Sequence, residues 1–144
     1  MRWATRRAAK VDRAACAWLI RRHIDPDAEF LFVADPADVP ADATAFEFPG
    51  AELGHHDGAC TFEVMVRKYG LADAIPVRLA EIVHEADIGD ERYAAPEAPG
   101  LDAIVRGIAL LGDDFQTLEQ TAPIFDALVR MARHKEDGGA NTQI

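Results

Sequence analysis

Hydrophobic positions fall in short blocks along this chain, and their spacing changes character about a third of the way through. RWATR at 2–6 alternates briefly, with Trp3 and Thr5 suited to a strand, and predicts a first strand. DRAACAWLIRRHI at 12–24 has helical spacing, with Ala15, Trp18, Leu19 and Ile24 near one face, Asp12 as the expected cap and Asp25-Pro26 as the stop. EFLFVA at 29–34 is a continuous apolar run of the kind that forms a buried strand. Strand, helix and strand in that order favour a right-handed parallel βαβ unit. TAFEF at 44–48 alternates enough for a third strand.

Beyond residue 48 the pattern turns helical. PGAELGHHDGAC at 49–60 is loop-like, with three glycines and a proline. Thr61 is the expected N-cap of a helix through Tyr69 that Gly70 ends, and Pro76 opens another that runs to about Ile88 and stops at Gly89. A Pro-rich loop, ERYAAPEAPG, precedes a helix over Leu101 to Leu111. Asp113 or Asp114 then starts a long helix to about Lys135, which Pro123 is expected to break or kink. The tail from 136 to 144 reads as frayed. These elements predict an α/β fold, with α+β as the runner-up. A small sheet with an N-terminal βαβ unit is followed by a mostly helical C-terminal part, in one domain over 1–144.

The length, 144 residues with 49% apolar and 28% charged, suits one soluble domain. No run approaches the roughly 20 apolar residues of a membrane span. The first residues lack the apolar core of a secretory signal, and two cysteines make no disulfide framework, so a cytoplasmic location is expected. The net charge is −10, which argues against binding nucleic acid over the whole surface. The charge is uneven. Residues 1–24 hold seven basic residues against Asp12 alone, a net +6, so the other 120 carry −16. A basic end on an acidic body points to a local anion site, or to arginines that pair with carboxylates elsewhere in the fold.

Three places could carry chemistry. The strand–loop–helix from Thr5 to Arg13 offers a helix N-terminus, the Thr5 hydroxyl and the side chains of Arg6, Arg7, Lys10 and Arg13 to a tetrahedral oxyanion. It has no glycine and is not a P-loop. The loop His55-His56-Asp57-Gly58-Ala59-Cys60 puts a thiol at a helix start, where thiolate is favoured, beside two imidazoles. In the helix IVHEAD, His84 and Asp87 share a face, with Glu81 three residues before His84. With Glu63 and the loop histidines they make a candidate site of His55, His56, Glu63, His84 and Asp87 for a divalent Zn, Mn or Fe ion. Solvated loop histidines, a small buried Cys60 and a surface ion pair are the simpler alternatives. H-E-x-x-H, paired C-x-x-C and G-x-G-x-x-G patterns are absent.

Three blocks, at 3–33, 52–71 and 82–90, together resemble the C-terminal domain of the chromate-resistance protein B (ChrB) family, described also as chromate resistance exported proteins. The resemblance covers nearly the whole chain. Trp3, Thr5, Arg6, Asp12, Arg13, Trp18, Leu19 and Ile20 stand in the family's order, followed by His55, Cys60, Thr61, Phe62 and Asp87. His84 stands where the family has His or Arg. The resemblance implies a link to resistance against chromate, a tetrahedral dianion, and to chromate-responsive regulators whose longer members carry a further N-terminal region.

Three functions follow as expectations. The first is a module that binds or senses a small oxyanion through Thr5, Arg6, Arg7, Lys10 and Arg13. The second is a metal- or thiol-dependent enzyme of chromate detoxification. In it His55 is base or ligand, Cys60 thiolate or reductant, and Asp87 ligand or orienter. The third is a transcriptional regulator or its partner. Direct nucleic-acid binding and a membrane are not expected for this chain alone, and a homodimer is compatible with it.

Overall fold

The structure is a computed structural model in which residues 1–138 are described. Three parallel strands form the sheet: β1 (Arg2–Arg6) in the centre, β2 (Glu29–Val33) on one side and β3 (Ala43–Ala45) on the other. Arg2 pairs with Glu29 and Thr5 with Phe32 across one ladder, and Arg2 with Ala43 and Ala4 with Ala45 across the other. The α/β class holds, with the βαβ unit at the N-terminus and four helices after the sheet: α2 (Thr61–Lys68), α3 (Val77–Asp87), α4 (Ala98–Ala109) and α5 (Asp114–Glu136).

The crossover helix α1 (Val11–Leu19) is buried at every position. Its alanines, Ala14, Ala15 and Ala17, leave room for α2, α3 and α5 to pack against it. The last turn widens into a π-helical segment, Ile20–Ile24, which closes where the Asp25 N–H donates to the Ile20 carbonyl at 2.7 Å. Asp25 also accepts from Trp3 Nε1 at 2.9 Å and pairs with the N-terminal ammonium. Around α1 the core gathers Trp3, Phe46, Phe62, Met65, Leu79, Val83, Val105 and Phe125. Each large buried side chain contributes roughly 1.5–3 kcal/mol of transfer free energy. Trp18 Nε1 donates to Asp126 at 2.8 Å and so ties α1 to α5.

Several boundaries differ from those expected. The N-cap of α1 is Lys10, and Asp12 lies inside the helix. The N-cap of α2 is Cys60, and Thr61 is its first residue. The third strand stops at Ala45, because two residues later Glu47 adopts a left-handed backbone, φ 57°. Helix α4 begins earlier than expected, at Ala98, with Pro99 in its first turn, where a missing N–H costs no helical bond. Asp113 is the cap of α5: it accepts from the Gln116 N–H, and the Gln116 side chain accepts from the Asp113 N–H, both at 2.9 Å. Helix α5 continues through Pro123 without a break. The tail expected to fray lies, from residue 139, outside the described residues. Among the described residues no helix is long and apolar enough to cross a membrane.

Candidate functional site

A cleft of about 510 Å³ opens at the C-terminal end of β1. Arg6, Arg7, Lys10 and Arg13 line it from β1, the following loop and α1. Glu47 and His55 line it from the segment after β3, Asp12 from α1, and Asp87 from the end of α3. The site therefore stands at the carboxyl end of a parallel strand, where α/β sheets commonly hold their ligands.

Asp12 organises this region. The residue is 1% exposed. It accepts from the Thr61 and Phe62 N–H groups, each at 3.0 Å, so a residue of α1 caps the N-terminus of α2. One of its oxygens also lies 3.1 Å from His55 Nε2. The same imidazole nitrogen is 3.1 Å from Asp87 and 3.4 Å from Glu47. The hydrogen bond to Asp12 is the main cause that pushes the His55 pKa up to about 9, with the charges of Asp87 and Glu47 adding to it. His55 is then an imidazolium at neutral pH. Burial, together with the negative charges of Asp12 and Glu47, pushes the Asp87 carboxyl up to about 6.

The basic residues divide into anchored and open ones. Arg13 is buried, and its Nη1 donates to the carbonyls of Arg7 and Ala8 at 3.2 and 3.0 Å while its Nη2 meets Glu47 at 2.6 Å. Arg6 Nη2 is 3.9 Å from the same Glu47 oxygen. The Nε atoms of Arg6 and Arg13 are buried and have no partner. Arg7 and Lys10 are exposed and pair with no carboxylate among the described residues. Elsewhere in the basic end, Arg2 pairs with Asp42 and Arg22 with Asp126, so part of the positive charge serves structural pairs.

Two expected donors are not in the cleft. The Thr5 hydroxyl is fully buried and donates to the Phe46 carbonyl at 2.7 Å, which holds β1 to the chain leaving β3. The loop amides of Ala8 and Ala9 already donate to the Asp114 carboxylate of α5, at 3.1 and 2.7 Å. Ala8 takes a positive φ, 64°, to present them. This part of the loop backbone is therefore committed to α5.

The five residues expected to share a metal do not converge. His55 and Asp87 meet in the cleft with Asp12, one donor atom from each lying within 4.8 Å of the others. Glu63 and His84 form a separate buried pair, Nδ1 to Oε1 at 2.5 Å. His84 Nε2 reaches Asp90 at 2.9 Å, Tyr93 donates to Glu63 at 3.2 Å, and the Cys60 N–H donates to Glu63 at 2.9 Å. Burial opposes the charge on both members. The pair nonetheless holds Glu63 below, and with Asp90 holds His84 above, their ordinary values. His56 stands apart, its Nε2 2.8 Å from the Ala51 carbonyl and 2.9 Å from that of Glu52. Cys60 is fully buried, and burial, with Asp12 and Glu63 beside it, pushes its thiol well above the ordinary range, the reverse of the thiolate expected at a helix start. Asp12 occupies that helix start and cancels its positive end. Cys16 is likewise a buried, free thiol whose pKa is pushed up, first by burial.

The sequence from residue 3 to 132 matches the family described as ChrB, C-terminal domain. The chain belongs to this family. A curated relative, "Protein ChrB" of Cupriavidus metallidurans, is 41% identical over 128 residues, a match that takes in 88% of this chain and 39% of the relative. The chain thus spans about two fifths of the relative's length. No solved structure matches. Membership makes the protein ChrB-related. Within this ChrB domain, Arg6, Arg13, His55 and Asp87 were candidates from the sequence and share the cleft. No sequence pattern marks Glu47 or Asp114 as belonging to this region. Glu47 sits between Phe46 and Phe48 in an alternating stretch, and only the backbone turn reveals that it faces the arginines.

Proposed function

We propose that this ChrB domain binds or senses a small tetrahedral oxyanion, chromate or a sulfate-like ion, in the cleft between β1, α1 and the His55 loop. The observation that carries this reading is the gathering of Arg6, Arg7, Lys10, Arg13 and His55 around one 510 Å³ cleft in a chain of net charge −10. The unpartnered Nε atoms of Arg6 and Arg13 support it, since a buried donor without an acceptor is costly and an oxyanion would supply one. Arg13 is pre-anchored through its other nitrogens, so little side-chain entropy is lost when an anion arrives. Thr5 takes no part, because its hydroxyl is committed to Phe46. A role as a cytoplasmic, chromate-responsive regulator or its partner would use this binding step as its input.

Titration calorimetry with sulfate and chromate tests the reading. Binding in the micromolar to millimolar range that weakens in Arg6→Ala is the expected result. No heat with chromate, sulfate or phosphate overturns it.

A second reading is a divalent metal held by Asp12, His55 and Asp87, favoured by the closeness of their donor atoms. Carboxylate and imidazole donors suit Zn, Mn or Fe. In this reading the metal displaces the His55 proton. Glu63, His84 and His56 lie in other surroundings and are not ligands of this ion. The enzyme form of this reading rests on the metal, with the buried Cys60 thiol outside the chemistry. Metal analysis of the purified protein tests it: about one equivalent supports it, and less than about 0.1 equivalent removes it.

A further inference from the structure

We propose that Glu47 is a resident occupant of the oxyanion cleft, a carboxylate that an incoming anion must displace, and that it sets how tightly the site binds. This rests on the oxyanion reading above and adds its regulation.

Glu47 is placed there by its neighbours. Phe46 and Phe48 are both buried, and the Glu47 N–H donates to the Leu53 carbonyl at 2.7 Å. With both flanking residues fixed in the core, Glu47 is held at φ 57°, a conformation that residues other than glycine seldom adopt. Strain of this kind persists only where the surroundings enforce it, and it concentrates at functional sites.

Its carboxylate then meets two guanidinium groups and an imidazole. One oxygen is 2.6 Å from Arg13 Nη2 and 3.9 Å from Arg6 Nη2, and the other is 3.4 Å from His55 Nε2. A scaffold salt bridge would satisfy its partners, and this one leaves them short. Arg13 presents Nη2 and Nε along one edge of its guanidinium, the edge that grips two oxygens of an oxyanion at once. Glu47 takes Nη2 and leaves Nε without an acceptor. Arg6 Nε is also unpartnered. A tetrahedral dianion can supply the oxygens that this single carboxylate does not.

Displacement is sterically open. Arg13 stays in place when Glu47 leaves, because Nη1 is held by the carbonyls of Arg7 and Ala8. Glu47 also borders a second hollow of about 240 Å³, lined by Phe48, Pro49 and Gly50 with Arg6 and His55 at its edge, which gives its side chain room to leave Arg13. The exchange replaces one anion on Arg13 by another, so the cleft is never left with an uncompensated buried guanidinium.

The test is calorimetric titration of the whole chain with inorganic sulfate, chromate and phosphate, in the unaltered protein and in Glu47→Gln and Glu47→Gly. The glycine variant accepts the left-handed backbone without strain and keeps the test open if the glutamine variant folds poorly. Thermal unfolding with and without sulfate accompanies the titrations. Both variants are expected to bind roughly tenfold or more tightly than the unaltered chain, the scale of one charge-assisted contact removed from the competition. Sulfate should raise their melting temperatures more than it raises that of the unaltered chain. If the unaltered chain binds and both variants bind equally or more weakly, Glu47 is not a competitor, and the proposal fails while the oxyanion reading stands. If no form binds any of the three anions, the oxyanion reading fails and takes this one with it. Binding by the variants alone supports both.

Discussion

Asp12 of α1 accepts the backbone N–H of Thr61 at 3.0 Å, and so caps a helix 49 residues further along the chain. It accepts the Phe62 N–H as well and lies beside His55. One buried carboxylate therefore docks α2 on α1 and orients the imidazole of the cleft. Asp12→Ala leaves two helix-start donors unsatisfied in the interior. The expected loss is about 3 kcal/mol, from the capping contribution and the buried charge-assisted hydrogen bonds together. Chemical denaturation measures it, and a loss below about 1 kcal/mol would show that the cap is dispensable.

His55 gives the protein a particular pH response. Its folded pKa is about 9, against an ordinary value near 6.5 in the unfolded chain. A raised value means that the folded state holds the proton more tightly. The contribution is fully present below about pH 6.5 and is lost as pH rises through 9. Asp87, raised to about 6, has the same sign in a lower window, so its contribution falls between about pH 4 and 6. Because the His55 side chain is 45% exposed, solvent screening keeps its share of stability small. The direct measurement is the imidazole titration by NMR. A midpoint near 9, lowered in Asp87→Asn, is expected, and a midpoint near 6.5 in the unaltered protein contradicts the cluster.

Local signals in the sequence carried the architecture. The apolar run Phe30 to Val33, the brief alternation around Trp3 and the stop at Asp25-Pro26 depend on near neighbours, and each element appears where its pattern places it. The caps at Asp12 and Cys60 are different. Asp12 has the composition of a cap and is one, but for a helix that meets it only in space. Likewise Asp114 reads as a helix start, and its carboxylate in fact closes the Ala8–Ala9 loop from 105 residues away. The candidate metal set illustrates the same limit: His84 and Asp87 are near one another on a helix, yet His84 turns into the core toward Glu63 and Asp87 toward the cleft.

The thiols should be silent in the native protein. Cys60 and Cys16 are fully buried, free, and have pKa values raised first by burial. Thiolate is the reactive form, so neither should react at neutral pH until the fold opens. Labelling with a maleimide at pH 7.5 is expected to give less than about 0.1 equivalent in native buffer and about two in denaturant. Rapid labelling of one thiol in the folded chain would restore a thiol-based reading of the site.

Glu63 and His84 form the remaining buried ion pair, and its energetics separate a structural role from a ligating one. Removing one partner strands the other charge in a dry interior. His84→Ala and Glu63→Ala are each expected to cost about 3–5 kcal/mol, while the double variant costs much less than their sum. The Tyr93 hydroxyl and the Cys60 N–H both depend on the Glu63 carboxylate, so Glu63→Gln should be milder than Glu63→Ala, because an amide oxygen still accepts from them. A double-mutant cycle read by denaturant unfolding gives the coupling directly. Strong coupling in metal-free, chelator-treated protein marks the pair as part of the scaffold. Coupling that appears only after Zn, Mn or Fe is added would instead return His84 and Glu63 to the list of metal ligands.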